Sequence, residues 1–218
     1  MSKVIGIDLG TTFSAIASLD DLGNPEVLSS LEDNRKITAS AIYIDGKNVI
    51  VGDRALSYIK NEPNKVVLQT KREMENDVVY SLDQGKWVDD KDLVDSYTPA
   101  QVSSLILKKL KDYTTDVKQV VITVPAMFAE KARQATLDAA KLADLEVIEL
   151  INEPTAAVLH YASLPGVEIG GRVMIFDLGG GTFDVTFAEV KNKKVDVLTS
   201  RGDKYLGGKD FDKEITKL

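Results

Sequence analysis

Two stretches of this chain share one design, and together they decide its fold. The first reads Val4-Ile5-Gly6-Ile7-Asp8-Leu9-Gly10-Thr11-Thr12-Phe13-Ser14, and the second reads Met174-Ile175-Phe176-Asp177-Leu178-Gly179-Gly180-Gly181-Thr182-Phe183-Asp184. In each, an apolar strand ends in Asp-Leu-Gly, a turn of small residues follows, and Thr-Phe leads into a second strand. Because chance seldom reproduces both the residues and their strand-turn-strand context, the sequence predicts an internal repeat.

Each turn has the chemistry of a phosphate-binding loop. Glycines allow close approach of a ligand to the backbone, successive N–H groups in a tight turn form an anion-binding concavity, and threonine hydroxyls add donors. The carboxylates of Asp8 and Asp177 would repel a phosphate here unless a cation lay between them, and Mg²⁺ bound largely through water fits that role. Taken alone, Asp8 could equally accept hydrogen bonds from its own turn. Neither copy is a Walker-type loop or a dinucleotide fingerprint.

Composition excludes several classes of protein. The 218 residues are 44% hydrophobic and 28% charged, which is typical of a folded globular chain. The net charge of −7 argues against a wide nucleic-acid surface. Since there is no cysteine and His160 is the only histidine, disulfides, thiolate metal sites and multi-histidine metal sites are excluded. The apolar stretches are too short for a signal peptide or a membrane span, so we expect a cytoplasmic protein without membrane association.

Hydrophobic patterning predicts strands that alternate with helices, which indicates an α/β layer fold. The region 53–97 has a mixed helical and irregular pattern with an acidic surface patch, and the glycines and proline of 164–171 predict a linker. Helices are predicted over 98–113, 129–143 and 154–161, and strands over 3–9, 14–19, 41–44, 48–52, 119–124, 146–151, 173–177, 184–190 and 195–200.

These motifs together resemble the 70-kilodalton heat-shock (DnaK-type) chaperones, members of the actin-like ATPase superfamily. The resemblance covers essentially the whole chain, strongly from 117 to 212 and thinly between 15 and 97. Beside the two phosphate motifs it rests on five segments in the family's order: Val121-Ile122-Thr123-Val124-Pro125-Ala126, Arg133-Gln134-Ala135-Thr136, Ile151-Asn152-Glu153-Pro154-Thr155-Ala156-Ala157, Leu206-Gly207-Gly208 and Asp210-Phe211-Asp212.

The resemblance implies an α/β fold of the ribonuclease-H-like, actin-like ATPase type, with a mixed five-stranded sheet flanked by helices and a smaller inserted α+β subdomain. It places lobe I at 1–168, with its core at 1–37 and 98–168 and the inserted subdomain at 38–97. The beginning of a second, equivalent lobe is expected at 169–218. In members of the family, the adenosine-contacting segments and the peptide-binding domain follow the part of the chain that corresponds to this sequence. We therefore expect an N-terminal fragment whose own ATP turnover is weak.

The resemblance also assigns roles to single residues. Lys71 would be the catalytic lysine that positions the attacking water, whereas sequence alone predicts a surface lysine. Glu153 and Asp177 would act through the water shell of the metal, although Glu153 could equally serve only the start of a helix. Asp8 completes the acidic cluster, and Thr182 would place its hydroxyl near the γ-phosphate. The implied nucleotide contacts are Gly10, Thr11, Thr12, Phe13, Gly179, Gly180, Gly181 and Thr182, and the metal-associated residues are Asp8, Glu153 and Asp177.

The implied cofactors are ATP or ADP and Mg²⁺, with K⁺ as a further candidate. The implied partners are unfolded peptide clients, bound through a separate domain, and J-domain and nucleotide-exchange co-chaperones. Pro125 and Arg133 resemble the residues that relay the nucleotide state in the family. Alternatively, Pro125 only ends a strand and Arg133 is only an exposed arginine of a helix. Three residues depart from the family's usual pattern. Phe13 stands where the family usually has Tyr or Asn, Met127 stands where it has Tyr, and Ala39 stands where a proline is common. These departures indicate a divergent paralogue.

The predicted function is therefore that of a chaperone ATPase in which water attacks the γ-phosphate with the help of Mg²⁺. In the parent protein, hydrolysis would drive peptide capture and release during protein folding under stress. Three alternatives stay open: a sugar or acid kinase of the same superfamily, a filament-forming actin-like protein, and a catalytically inert lobe kept for interactions. The Glu-Pro-Thr-Ala-Ala and Thr-Lys-Arg segments favour the chaperone over the kinase.

Overall fold

The computed structural model describes residues 3–115, 117–192 and 194–217. No helix in these ranges is long and apolar enough to cross a membrane. The helices are α1 (Asp53–Leu56), α2 (Pro99–Lys111), α3 (Glu130–Leu142), α4 (Glu153–Ser163) and α5 (Gly208–Ile215). The strands are β1 (Lys3–Asp8), β2 (Phe13–Leu19), β3 (Pro25–Val27), β4 (Thr38–Ala39), β5 (Ala41–Asp45), β6 (Asn48–Val51), β7 (Val66–Leu68), β8 (Val79–Ser81), β9 (Lys86–Val88), β10 (Ser96–Tyr97), β11 (Val117–Val124), β12 (Glu146–Asn152), β13 (Gly171–Leu178), β14 (Phe183–Lys191) and β15 (Lys194–Asp203).

The chain forms two compact units. The first comprises Met1–Ile122 and Ala129–Glu149, and the second comprises Thr123–Phe128 and Leu150–Leu218. The division of the chain into a lobe I at 1–168 and the start of a lobe II at 169–218 stays a prediction.

A mixed sheet flanked by helices forms the core of the first unit, as the resemblance implied. Its strands follow the order β12-β11-β1-β2-β3, and β4 pairs with β2, so the sheet has six strands where five were expected. The pairs β1–β2 and β2–β3 are antiparallel. In β1, Ile5 and Ile7 are buried while Asp8 is exposed, because alternate side chains of a strand point to opposite faces.

Helix α2 covers this core and begins with a capping box. The Gln101 N–H donates to Thr98 Oγ1 over 3.2 Å, and the Thr98 N–H donates to Gln101 Oε1 over 2.8 Å. Pro99 occupies the first helical position, where its missing N–H costs nothing. The buried face of the helix carries Val102 and Leu110, as its periodicity predicts.

The region 38–97 holds two small sheets, with orders β6-β5-β7 and β10-β8-β9. The prediction of a helical and irregular pattern for 53–97 was incomplete, since β7 to β10 lie within it. Each of these strands has only two or three residues, which is too short to show a period of two. The Tyr80 hydroxyl lies within 3.2 Å of the carbonyl oxygens of Asn64 and Val66, so it ties β8 to the chain around β7.

The second unit is built on an antiparallel meander, β13-β14-β15. Helix α4 packs against β13 and β15, and α5 follows the meander. The strands predicted at 173–177, 184–190 and 195–200 are all present and extend further than predicted. Ala188 and Val190 of β14 are buried, as are Asp184 and Thr186.

Candidate phosphate-binding turns and catalytic residues

The first turn joins β1 to β2. In this hairpin Asp8 lies opposite Ala15 and Ile7 lies opposite Ile16, so the register continues to Gly10 opposite Phe13. A side chain at Gly10 would overlap the carbonyl of Phe13. Glycine is therefore required at this position, because the two arms of the turn approach too closely for a Cβ atom.

The second turn joins β13 to β14 in the same register. Asp177 lies opposite Asp184, just as Asp8 lies opposite Ala15, and the Gly179 N–H donates to the Thr182 carbonyl over 2.9 Å. The repeat is thus present in the structure as well as in the sequence. The structure corrects one detail of the predicted repeat. By position in the hairpin, Phe13 is equivalent to Thr182, so the Thr-Phe pair of the second copy lies one position later than that of the first.

Each turn is held from behind through its carbonyl oxygens. In the second turn, the Gly208 N–H donates to the Gly179 carbonyl and the Lys209 N–H donates to the Gly180 carbonyl, both over 3.0 Å. The described peptide bonds are all trans, so each N–H points opposite to the carbonyl of the same peptide. The amides of Gly180 and Gly181 therefore point away from the start of α5. Such outward amides are the donors that an anion-binding turn needs.

A buried hydroxyl in the first turn fits a phosphate ligand. Thr12 Oγ1 is buried and has no hydrogen-bond partner among the described residues. Leaving a buried hydroxyl unsatisfied costs roughly 1–3 kcal/mol, so such groups are usually explained by a missing ligand, water or ion. An oxygen of a phosphate bound at the turn would satisfy Thr12. Thr11 beside it is also buried, and Phe13 is about half exposed.

Lys71 lies on a 3₁₀ turn, Thr70–Glu73, in the first unit. The chain enters this turn through Gln69 in the left-handed conformation, with φ 57°. Buried Met74 accepts a hydrogen bond from the Ser103 hydroxyl at 3.4 Å, so the turn is held against α2. Lys71 is accordingly half-buried on a supported turn, in contrast to the exposed lysine that sequence alone predicts.

Glu153, Asp177 and Thr182 lie in the second unit. Glu153 is the first residue of α4 and half-buried, Asp177 is exposed near the end of β13, and Thr182 is half-buried in the turn. Since α4 packs on β13, the structure places both carboxylates on contacting elements. The position of Glu153 in the first helical turn also suits the helix dipole, so that interpretation stays open. Within the described ranges, no three acidic or histidine side chains are close enough to bind a metal directly.

A family model described as "Hsp70 protein" matches residues 4–218. The chain belongs to the Hsp70 family. This confirms the resemblance predicted from the sequence and places the chain among chaperone ATPases. Hsp70 proteins generally bind ATP or ADP with Mg²⁺ and act together with peptide clients and co-chaperones.

Three residues shape the turns of this Hsp70 chain in a way that the sequence did not predict. Ser14 and Ser40 contact the first turn through their side chains. Gly207 lies so close to the second turn that an added Cβ would be 2.6 Å from the Gly180 carbonyl carbon. The available signals were small residues inside apolar or glycine-rich runs, Ala39-Ser40-Ala41 and Leu206-Gly207-Gly208. Neither run indicates what the residue contacts.

Proposed function

We propose that this chain acts as an ATP- and ADP-binding domain of an Hsp70 chaperone, in which water hydrolyses the γ-phosphate. The observation that carries the proposal is the pair of turns built on one hairpin register, each with its carbonyls held from behind and its amides turned outward. A second supporting observation is the buried Thr12 hydroxyl, which lacks a partner among the described residues. Both features suit a polyphosphate and neither is needed for a plain hairpin.

Each candidate residue then has a distinct role in nucleotide binding or hydrolysis. The amides of the first turn and the Thr12 hydroxyl bind phosphate oxygens, and the amides of Gly180 and Gly181 with the Thr182 hydroxyl bind others, while the Gly179 amide closes the second turn on the Thr182 carbonyl. Lys71 holds the attacking water and offsets the negative charge that develops during phosphoryl transfer. The carboxylates that would hold Mg²⁺ through water are Asp8 and, on the contacting elements α4 and β13, Glu153 and Asp177. The metal, when bound, neutralises charge on the phosphate oxygens.

The wider biology is proposed on the family assignment alone. Hydrolysis by the parent protein would drive capture and release of unfolded peptides in the cytoplasm under stress, with J-domain and nucleotide-exchange co-chaperones as partners. Pro125 and Arg133 would relay the nucleotide state. K⁺ is a further candidate ion at the phosphates.

Calorimetry of Mg²⁺-ATP and Mg²⁺-ADP binding to the full 218-residue chain tests the proposal. Asp177→Ala should weaken binding at least about tenfold, which is the effect of losing one charge-assisted contact. Asp196→Ala is the matched control, because Asp196 is an exposed aspartate on β15 that lies opposite Glu189, far along the meander from the turn. Lys71→Ala should retain binding while lowering any measured turnover.

Two results would contradict the proposal. If the folded chain binds neither nucleotide, the turns are only scaffolding and the chain is better explained as an interaction lobe. If Asp196→Ala weakens binding as much as Asp177→Ala, the phosphate is not held at the second turn.

A further inference from the structure

Two buried serines lie directly behind the first phosphate turn. Ser14 is 1% exposed and Ser40 is 5% exposed. The Gly10 N–H lies 3.2 Å from Ser14 Oγ, the two hydroxyl oxygens are 2.9 Å apart, and Ser40 Oγ lies 2.8 Å from the Gly10 carbonyl oxygen. Both polar groups of the Gly10 backbone are therefore bound by serine side chains.

Counting protons fixes the direction of every hydrogen bond in this group. A serine hydroxyl has one proton to donate, and the proton of Ser40 goes to the Gly10 carbonyl. The proton between the two hydroxyls must then come from Ser14, which accepts from the Gly10 N–H in turn. The result is a closed ring from the Gly10 N–H through Ser14 and Ser40 back to the Gly10 carbonyl. Aligned hydrogen bonds of this kind strengthen one another in a buried setting.

Ser40 also holds a second carbonyl of the turn. Its backbone N–H donates to the Thr12 carbonyl over 2.8 Å. The carbonyls of Gly10 and Thr12 therefore both point toward Ser40. Because the peptide bonds are trans, the amides of Thr11 and Phe13 point the opposite way.

The position of Ser40 explains why one residue can do this. It lies between β4, which pairs with β2 of the core sheet, and β5, which belongs to the neighbouring three-stranded sheet. Phe13 lies opposite Ala39 in the β2–β4 pair. Ser40 is thus anchored on both sides, by the β2–β4 pair and by the sheet that contains β5.

We propose that Ser14 and Ser40 are positioning residues for nucleotide binding: their hydroxyl ring sets the direction of the Thr11 amide, and the backbone N–H of Ser40 sets that of the Phe13 amide. This proposal rests on the proposed function and goes beyond it, since it names two residues that lie behind the turn and act only through Gly10 and Thr12.

Two measurements on the full chain test the proposal. Ser40→Ala should weaken Mg²⁺-ADP binding about tenfold, the effect expected for one lost buried hydrogen bond and an unsatisfied carbonyl. It should also speed hydrogen exchange at the Gly10 amide in the nucleotide-free chain, because the ring that protects this amide is opened. Ser14→Ala cuts the ring at another link and serves where Ser40→Ala does not fold. Ser40→Thr keeps the hydroxyl and should stay within about threefold of the original affinity.

Ser103→Ala is the matched control. Ser103 is another buried serine of the first unit, and its hydroxyl donates to Met74 Sδ, which is not part of the ring. It should lower the stability of the chain to a similar extent and leave both Mg²⁺-ADP affinity and Gly10 exchange unchanged. A loss of stability elsewhere in the unit would not selectively speed hydrogen exchange at the Gly10 amide. Exchange at this amide in the nucleotide-free chain therefore distinguishes a positioning role from a general loss of stability.

The outcomes separate the two proposals. Unchanged Mg²⁺-ADP affinity in both alanine variants, with binding by the original chain intact, would overturn the positioning role and leave the proposed function standing. Equal weakening by Ser103→Ala would overturn it as well, because the effect would then be general. If the original chain binds no Mg²⁺-ADP, the proposed function fails and the positioning role fails with it, whatever the exchange rate at Gly10.

Discussion

A methyl group added at Gly207 would collide with the backbone of the second phosphate turn. The Cβ of an alanine would lie 2.6 Å from the Gly180 carbonyl carbon and 2.7 Å from Gly181 Cα. Ordinary carbon–carbon contacts are about 3.5–4.0 Å, so the two segments must separate by about 1 Å. The neighbours are backbone atoms, which cannot swing aside as a flexible side chain would.

The expected cost of Gly207→Ala follows from these contacts. Gly207 is extended, with φ −171°, so alanine can adopt its backbone conformation and the whole penalty is steric. Overpacking of this kind costs about 1–3 kcal/mol. Separation would also weaken the hydrogen bonds from Gly208 and Lys209 to the turn, each of which contributes about 1 kcal/mol. We expect the free energy of unfolding to fall by about 2–3 kcal/mol in total.

Urea denaturation followed by circular dichroism measures this effect. With a slope of about 2 kcal/mol per molar urea, the transition midpoint should fall by about 1 M. Gly208→Ala is the matched control, since its Cβ would lie 3.8 Å from Gly180 Cα, an ordinary contact. Gly208 is also the first residue of α5, where alanine is a better helix former, so its midpoint should stay or rise slightly.

The reasoning would be refuted if Gly207→Ala unfolded at the same urea concentration as the original chain. Equal destabilisation by Gly208→Ala would also refute it, because the close approach at residue 207 would then not be the cause. Mg²⁺-ADP affinity measured on the same two variants adds a functional readout, and only Gly207→Ala should weaken it.

Three further predictions concern other parts of the chain. Thr98→Ala removes the capping box and should lower the free energy of unfolding by about 1 kcal/mol in urea denaturation, whereas Thr98→Ser should retain it. Burial raises the pKa of Tyr80, whose hydroxyl lies within hydrogen-bond distance of two backbone carbonyls. The stability that this neutral hydroxyl contributes is fully present below pH ~10 and is lost as the pH rises further. When urea midpoints are measured against pH, Tyr80→Phe should lack this part of the loss of stability at alkaline pH. Gly10→Ala should abolish Mg²⁺-ADP binding in calorimetry, because the added Cβ overlaps the Phe13 carbonyl, and retained affinity would contradict the close turn.

The hairpins and helices could be predicted because their signals are local. Asp45-Gly46, between the strands predicted at 41–44 and 48–52, is typical of a tight turn, and Gly46 has φ 57° between the paired strands β5 and β6. The helix predicted over 98–113 corresponds to α2, with Thr98 as its cap and Pro99 as its first residue, because capping and the proline position are set by neighbours in sequence. The repeat was readable for the same reason, since each copy is one short hairpin.

The supports of the turns could not be predicted, because they join residues far apart in sequence. Ser14 and Ser40 are 26 positions apart, and a single pair of hydroxyls leaves no periodic pattern. Gly207 is separated by more than twenty positions from the turn that excludes its side chain. The roles of Lys71 and Glu153 likewise came from the family resemblance and not from any pattern in their own segments. They remain predictions, and the structure adds only that each lies on a supported element.

The two turns both direct amides outward, but different groups hold their carbonyls in place. This difference determines which substitutions should weaken phosphate binding at each turn. An amide can bind phosphate only if it points at the ligand, and in a planar trans peptide its direction is set by the carbonyl on the other side. In the first turn that carbonyl is held by a serine hydroxyl, and in the second by the Gly208 amide at the start of α5. Side-chain substitution can therefore release the first turn but not the second. The second turn is vulnerable instead to added bulk, which is why Ser40→Ala and Gly207→Ala are the corresponding perturbations of the two copies.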